Sequence, residues 1–391
     1  MKIVFLHNSN DLYGGSRCLL RLAAALRRDG CAVEVWIPGN GPIRPALESA
    51  GVSCETVSEL SPLSRKKYSS VRSRIRFISK TLVAAVSLSR RIRASQPDIV
   101  HTNTAVLPSA GLAVRLSGKP HIWHVREWFG EFPLAWSIYQ WYVALFADRV
   151  ICVSQAVADQ FHPLLKKRIR MVYDGFPDSD FRAVIPERAR AFRNAFGLDD
   201  RLMVGVVGRI KWKRKGQETF ARAAALLHDA YPAVRFLCIG SPFPGNEDHL
   251  TNLQSLAADL NLGREWIVTG DVDDNLGAIA ALDVLVHPPG QPEPFAGVIV
   301  EAMGLGKPVI GTALGGTAEQ VDDGATGLLI PPDDPSALAD AIRRLIDDES
   351  LRRTMGNRGR ERFLNRFTWE SFYRSIRTEY GAVSPRTGQS A

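Results

Sequence analysis

Glu293 and Glu301 stand eight residues apart, with Pro294 and the small turn Phe295-Ala296-Gly297 between them. Eight steps at 100° would put both carboxylates on one helical face, but proline does not belong inside a helix. Glu293 is therefore expected in a loop, and Glu301 one turn into the helix that follows. The amides of Ala296, Gly297 and Val298 would then point outward from a helix N-terminus, where an anion is favoured. Two carboxylates around an amide cradle suit a ligand with hydroxyls at both ends and phosphate in the middle, such as a nucleotide sugar. An ordinary strand–loop–helix with two solvated acids reads the same locally, so the rest of the chain has to decide.

A second cluster, GRIKWKRKG, runs from Gly208 to Gly216. Arg209 follows the apolar run MVGVV and so sits at a strand end, and Lys215 precedes the glycine that opens a helix. Arg in a fork and Lys as a point charge suit a diphosphate. The competing reading is a solvated basic loop; the strand end favours Arg209 and Lys215 over Lys211, Lys213 and Arg214. Near the N-terminus, Gly14-Gly15 closes the loop after the first strand and lets a phosphate or sugar approach the backbone. A plain turn has the same sequence. His124 ends the strand HIWH, where it can hydrogen-bond a sugar hydroxyl or steer a proton, unless it is a packed bystander. Asp271-Val272-Asp273 has the look of a metal pair but reads as a strand-to-helix turn with an N-cap, and no metal or cofactor is expected.

These residues need strand ends to carry them, and the chain supplies alternating strands and helices, the pattern of an α/β fold with parallel sheets. In the first half, strands are expected at 2–6, 32–37, 99–101, 121–124 and 149–153. In the second they are expected at 203–207, 235–239, 266–269, 284–287 and 308–311. The turn-rich MVYDGFPDSDFRAVIP, 171–186, is a candidate linker. Two Rossmann-like halves facing a cleft follow from this order. The expected domains are 1–178, 179–365 and a C-terminal helix with its tail at 366–391. That last helix, drawn as one run from about Ser350 to Tyr380, is long enough to pack back on the first domain.

The chain of 391 residues is 45% hydrophobic and 23% charged, as in a soluble globular protein with two cores. It has no apolar run long enough to span a bilayer, and its opening MKIVFLHNSN reads as a strand rather than a signal peptide. Five scattered cysteines without a CxxC pair suggest reduced thiols in the cytoplasm. The net charge of +8 is local. Ten basic residues and no acid lie between Leu60 and Pro97, and without them 39 basic residues face 41 acidic ones. The absence of G-x-G-x-x-G, and of an acid after Val35-Trp36-Ile37-Pro38, counts against an NAD enzyme. A basic patch without a recognised module counts against nucleic acid.

Together these pieces resemble the retaining nucleotide-sugar glycosyltransferases of family four, which have the GT-B fold. The matching segments are Gly14-Gly15, the His124 strand end, ICVSQAVADQF at 151–161, MVYDGFPDSDF, GRI…KG at 208–216, Glu293…Glu301, and ALGGTAEQVDDGATGLLIPPDDPSALADAI. The resemblance implies that Arg209 and Lys215 neutralise the leaving diphosphate and that Glu301 binds the ribose. It implies that Glu293 contacts the donor sugar beside the amides of Phe295, Ala296, Gly297 and Val298. His124 would sit by that sugar, and Gly15 would face the phosphates. Ala296 departs from the usual glycine and adds a methyl near the donor; Asp174-Gly175 stands where Asn-Gly is common.

The implied reaction is metal-independent glycosyl transfer, with retained configuration, from a GDP-, UDP-, ADP- or dTDP-sugar to a glycan or lipid-linked acceptor of the cell envelope. A non-catalytic nucleotide-sugar scaffold, and a GT-B epimerase or hydrolase on the same donor, are the alternatives. The first domain would bind the acceptor. Its basic stretch 60–97 and the aromatics of 123–146 suit peripheral contact with an anionic membrane at the inner face of the plasma membrane. A solvated basic helix beside an aromatic core helix explains the same residues.

Overall fold

A computed structural model describes residues 1–63, 71–184, 186–198 and 201–384. The chain divides into two units, Met1–Asp174 with Phe372–Ala391, and Gly175–Ser371. Each carries a parallel sheet, so the expected α/β architecture of two Rossmann-like halves is the one observed.

The first sheet holds β1 (Lys2–Leu6), β2 (Ala32–Ile37), β3 (Ser53–Thr56), β4 (Ile99–Thr102), β5 (His121–Val125), β6 (Arg149–Cys152) and β7 (Ile169–Met171), in the order 3-2-1-4-5-6-7. Helices cover both faces, which is why β1 reads as an apolar run from Ile3 to Leu6. Ile3, Val4, Phe5 and Leu6 are fully buried. The second sheet holds β8 (Leu202–Val207), β9 (Val234–Ile239), β10 (Trp266–Gly270), β11 (Val284–His287), β12 (Val309–Thr312) and β13 (Gly327–Ile330), in the order 10-9-8-11-12-13.

Both orders reverse direction at one place, between β1 and β4 and between β8 and β11. Loops leaving the C-terminal ends of those paired strands diverge, and ligands bind in the crevice they leave. β8 pairs with β11 through Val204–Val284 and, at the next rung, Gly205–Leu285. The Arg209 loop and the Glu293 loop therefore start side by side, although more than 80 residues of sequence separate them.

The last helix is not one run. It is two, Glu349–Arg366 and Trp369–Val383, broken at Phe367-Thr368. There the Phe176 amide donates to the Phe367 carbonyl at 2.9 Å, and the Trp369 amide returns to the Phe176 carbonyl at 2.9 Å. The linker segment thus takes two backbone groups that a continuous helix would need. Beyond the break, Phe372, Ile376 and Tyr380 form one buried face, and the Tyr380 hydroxyl lies 2.8 Å from Nδ1 of His101 on β4. The C-terminal helix does pack back onto the first unit.

The basic stretch forms the helix Val71–Ser95; Arg65, Lys66 and Lys67 lie outside the described residues. Part of its charge is structural, because Arg91 pairs with Glu55 at 2.6 Å and Glu59 at 3.3 Å. Several aromatics expected at a headgroup interface are core instead. Trp123, Phe129 and Trp136 are buried, and Phe129 stacks on Trp136 with ring centroids 4.3 Å apart. Among the described residues, no helix is long and apolar enough to cross a membrane.

Candidate functional site

In the second unit, β8 ends at Val207 and the chain turns through Gly208 into Arg209. The guanidinium of Arg209 donates to the Pro242 carbonyl at 3.2 Å and lies 4.8 Å from the centre of the Phe243 ring. Gln217 ties the loop down, donating from Nε2 to the Arg209 carbonyl at 3.0 Å. Lys215 follows in a short 3₁₀ turn, Trp212–Lys215, which ends at Gly216 with φ +74°. A Cβ on Gly216 would fall 1.7 Å from the Pro288 carbonyl oxygen. Only glycine lets this loop lie against the chain leaving β11, and that contact delivers Lys215 to Glu293.

Glu293 is held from both sides. Lys215 Nζ is 2.5 Å from Oε1, and His287 Nε2, at the end of β11, is 3.1 Å from Oε2. Burial alone would push the carboxyl up, but the Lys215 charge and the His287 contact outweigh it and hold Glu293 well below the usual carboxylate range. The Gly316 amide donates to the Glu293 carbonyl at 2.8 Å. Cβ atoms on Gly315 and Gly316 would strike the backbone of Glu293 and Pro294 at 2.5 and 2.2 Å, so the Gly-Gly loop is the bed on which the Glu293 segment rests.

The helix Gly297–Gly304 opens as expected, with Glu301 half-buried one turn in. The amide cradle is narrower than the sequence suggested. Buried Gln320 accepts from the Ala296 amide at 3.0 Å and donates to the Ala296 carbonyl at 2.8 Å. This leaves the amides of Gly297 and Val298, which have no hydrogen-bond acceptor among the described residues. The Ala296 methyl is buried, so the residue faces the protein rather than open space. Phe176 lies against Gly297, 3.2 Å from where its Cβ would be, and the Phe295 and Phe367 rings meet at 6.0 Å. Lys211, set aside in the sequence, shares the field of Arg209, Lys215 and Glu293. Its amine is lowered by burial and then by Lys215 and Arg214, with Glu293 opposing. Asp274, not Asp273, caps the next helix, and it is paired with Arg188.

In the first unit, the helix Gly14–Arg28 opens at Gly14-Gly15, whose amides have no acceptor among the described residues. Beneath it lies a polar network at the ends of β1, β4 and β5 that the sequence reading missed. Arg126, one residue past β5, donates to Asp174 at 2.6 Å and to Asn103 at 2.9 Å. Its side chain passes 3.8 Å from the position of a Gly15 Cβ. Asn103 contacts His7 at 3.4 Å and the Gly15 carbonyl at 3.5 Å, and His7 contacts Ser16 at 3.0 Å. Burial, then the Arg126 charge, lowers His7 to about 4, so it stays neutral at physiological pH. The only signal for Arg126 was the charged pair Arg126-Glu127 directly after an apolar strand.

His124 is placed below this layer and fully buried. Its Nδ1 lies 3.5 Å from Arg126, its Nε2 has no hydrogen-bond partner among the described residues, and its ring is 5.4 Å from that of His101. Burial, then Arg126 and His101, keeps it well below its ordinary value, and thus neutral.

A family model described as Glycosyltransferase Family 4 matches residues 13–179, and one described as Glycosyl transferases group 1 matches residues 189–362. The D-inositol 3-phosphate glycosyltransferase of Mycobacteroides abscessus is 33% identical over 241 residues, 60% of this chain and 52% of that protein. The capsular polysaccharide biosynthesis glycosyltransferase CapM of Staphylococcus aureus is 31% identical over 183 residues, 47% of each. The matched stretch thus spans about half the length of these relatives. Among solved structures, Anabaena HepE in complex with UDP-glucose superposes with a TM-score of 0.83 at 22% identity, covering 98% of this chain and 100% of that one. The sucrose-phosphate synthase of Thermosynechococcus elongatus does so at 0.77 and 24%, covering 98% of both. At such identities the likeness is one of fold.

Proposed function

The chain belongs to the family-4 glycosyltransferases, whose two matched regions together span most of it, and on that premise we propose that it moves a sugar from a nucleotide-sugar donor to an acceptor hydroxyl. The observation that carries this reading is the Lys215–Glu293–His287 cluster beside the open amides of Gly297 and Val298. It offers fixed positive charge and N–H donors for a diphosphate, and a carboxylate held ionised for sugar hydroxyls. Glu301, one turn further, is the partner proposed for the ribose.

Charge builds on the departing diphosphate in the transition state, so preorganised donors there lower the barrier most. Arg209 and Lys215 are proposed for that task in place of a metal, with retention at the anomeric carbon. The first unit would receive the acceptor, proposed to be lipid-linked or a cell-envelope glycan, and Gly14-Gly15 would meet the donor phosphates. His124 is proposed to act from beneath, by positioning Arg126 and the loop above it.

A thermal-shift screen against GDP-, UDP-, ADP- and dTDP-sugars tests the donor half, because a ligand of the native state raises its melting temperature. UDP-glucose is the first choice, since HepE binds it. No shift with any of the four classes, each at millimolar concentration, would overturn the reading. Product analysis with and without acceptor then separates transfer from hydrolysis.

A further inference from the structure

The helix Pro133–Leu145 carries no charged residue over its 13 positions. One side is core, through Trp136, Gln140, Val143 and Ala144. The other presents Leu134, Ile138, Trp141 and Leu145, spaced 4, 3 and 4 apart, which forms a single helical stripe. Their exposures are 85%, 77%, 36% and 59%. The 3₁₀ turn Pro163–Arg168 lies alongside, because the His162 ring sits 5.5 Å from Trp141, and it adds Leu164 at 75% exposure together with Lys166, Lys167 and Arg168. So many aliphatic side chains in open water on one face mark a docking surface.

At its C-terminal end the stripe runs into a cavity of about 650 Å³, which Leu145 helps to line. Arg115, Lys119, Arg149 and Arg168 also line it, against the carboxylate of Asp148. Arg149 Nε lies 3.4 Å from Glu379 Oε2, an ion pair whose two buried atoms are not aligned as a hydrogen bond. Asp148 is engaged by the His121 amide at 2.8 Å. Four cations thus face two carboxylates, and Arg115 has no partner among the described residues. Basic side chains do complement helix C-termini, and three helices end here, at Ser117, Leu145 and Val383, but the exposed Arg115, which shares this cavity with Leu145, is left for a further acceptor.

We propose that this face docks on an anionic phospholipid bilayer, with Leu134, Ile138, Trp141, Leu145 and Leu164 entering the headgroup–acyl boundary and a lipid phosphate seated in the Arg115–Arg168 cavity. Apolar stripe, tryptophan and adjoining cations are the combination that holds a helix at such an interface. A second copy of the chain is a poorer occupant, because five side chains fall well short of the roughly 20–30 residues a side of a stable interface. The surface differs from the one expected from sequence. Of the expected aromatics it keeps Trp141 and joins it to aliphatic residues, while Trp123, Phe129 and Trp136 are buried. It would bring the first unit to a membrane-borne acceptor, as the proposed reaction needs, but its test involves no transfer assay, so either reading can fail alone.

Sedimentation with vesicles decides it, using phosphatidylcholine alone and phosphatidylcholine containing one-third phosphatidylglycerol at low salt. Wild type should bind the anionic vesicles and not the neutral ones. Ile138→Asp should lower that binding about tenfold or more, and Arg115→Glu should lower it by about fivefold or more, as expected for a cation near a charged surface. Both side chains are exposed, and Leu134→Ser serves as a second, milder variant; unchanged circular dichroism controls for folding. Three results would overturn the proposal. The first is equal vesicle binding by wild type and Ile138→Asp. The second is a stable dimer in the ultracentrifuge that Ile138→Asp dissociates. The third is stabilisation by inorganic phosphate, abolished by Arg115→Glu, in a protein that ignores vesicles.

Discussion

Lys215 Nζ lies 2.5 Å from Oε1 of Glu293, so the cation proposed for a phosphate and the carboxylate proposed for a sugar neutralise each other. His287 keeps the second oxygen occupied. A donor diphosphate arriving at this loop would draw Lys215 into a shared contact, and Glu293 would stay ionised because His287 and the remaining field hold it.

Lys215→Ala should lower turnover by roughly 10²–10³, the loss typical of a preorganised donor to transition-state charge. Steady-state kinetics with the donor found by thermal shift would check this. Near-normal turnover by the folded variant would remove Lys215 from the mechanism.

The pH dependence of stability tests the Glu293 environment. A carboxyl held below its usual value adds stability in full above its unfolded value, about 4.3, and loses it as pH falls towards the native value. Wild type and Glu293→Gln should therefore differ most at neutral pH and begin to converge only below about pH 4. Melting temperatures measured from pH 3 to 7 check the sign; a gap that widens on acidification contradicts it.

Gln320 closes two hydrogen bonds with the backbone of Ala296, and both partners are buried. Gln320→Leu would leave a buried N–H and C=O unpaired, at about 1–3 kcal/mol each. We expect a lower melting temperature and weaker donor binding together, because the same turn presents Gly297 and Val298. Unchanged affinity with lowered stability would separate the two roles.

Arg126 and Asp174, whose side chains are only 10% and 14% exposed, form a largely buried pair. Arg126→Leu should cost about 3–5 kcal/mol by stranding Asp174. Arg126→Leu with Asp174→Asn should cost less than the sum of the single changes, since the pair shares one interaction. Urea unfolding followed by tryptophan fluorescence would show it; strict additivity would mean the pair is not coupled.

The strands that carry the site were legible because a doubly covered parallel strand is an unbroken apolar run. β1, β2 and β11 have the bounds expected. The three that escaped notice, SCET at β3, IRM at β7 and GLLI at β13, are all edge strands of three or four residues. At three or four residues, with polar side chains in SCET and IRM and a leading glycine in GLLI, neither run length nor alternation exposes them. The helix break at Phe367-Thr368 was invisible for a different reason: its cause, Phe176, lies nearly 200 residues away. The Glu293 loop and the Lys215 loop were legible as charges at strand ends. Arg126, Asn103 and Gln320 were not, since a buried polar residue announces itself only through partners that the fold supplies.

The helix Trp369–Val383 begins in the second unit and completes the first, where Tyr380 meets His101. On the ribosome this reverses the usual order, in which the N-terminal domain folds first. The unit that is synthesised first cannot close its core until the helix Trp369–Val383 has emerged, whereas Gly175–Ser371 is continuous and is already whole. Nascent chains halted before Phe372 would thus hold a finished second unit and a first unit still waiting for its last helix.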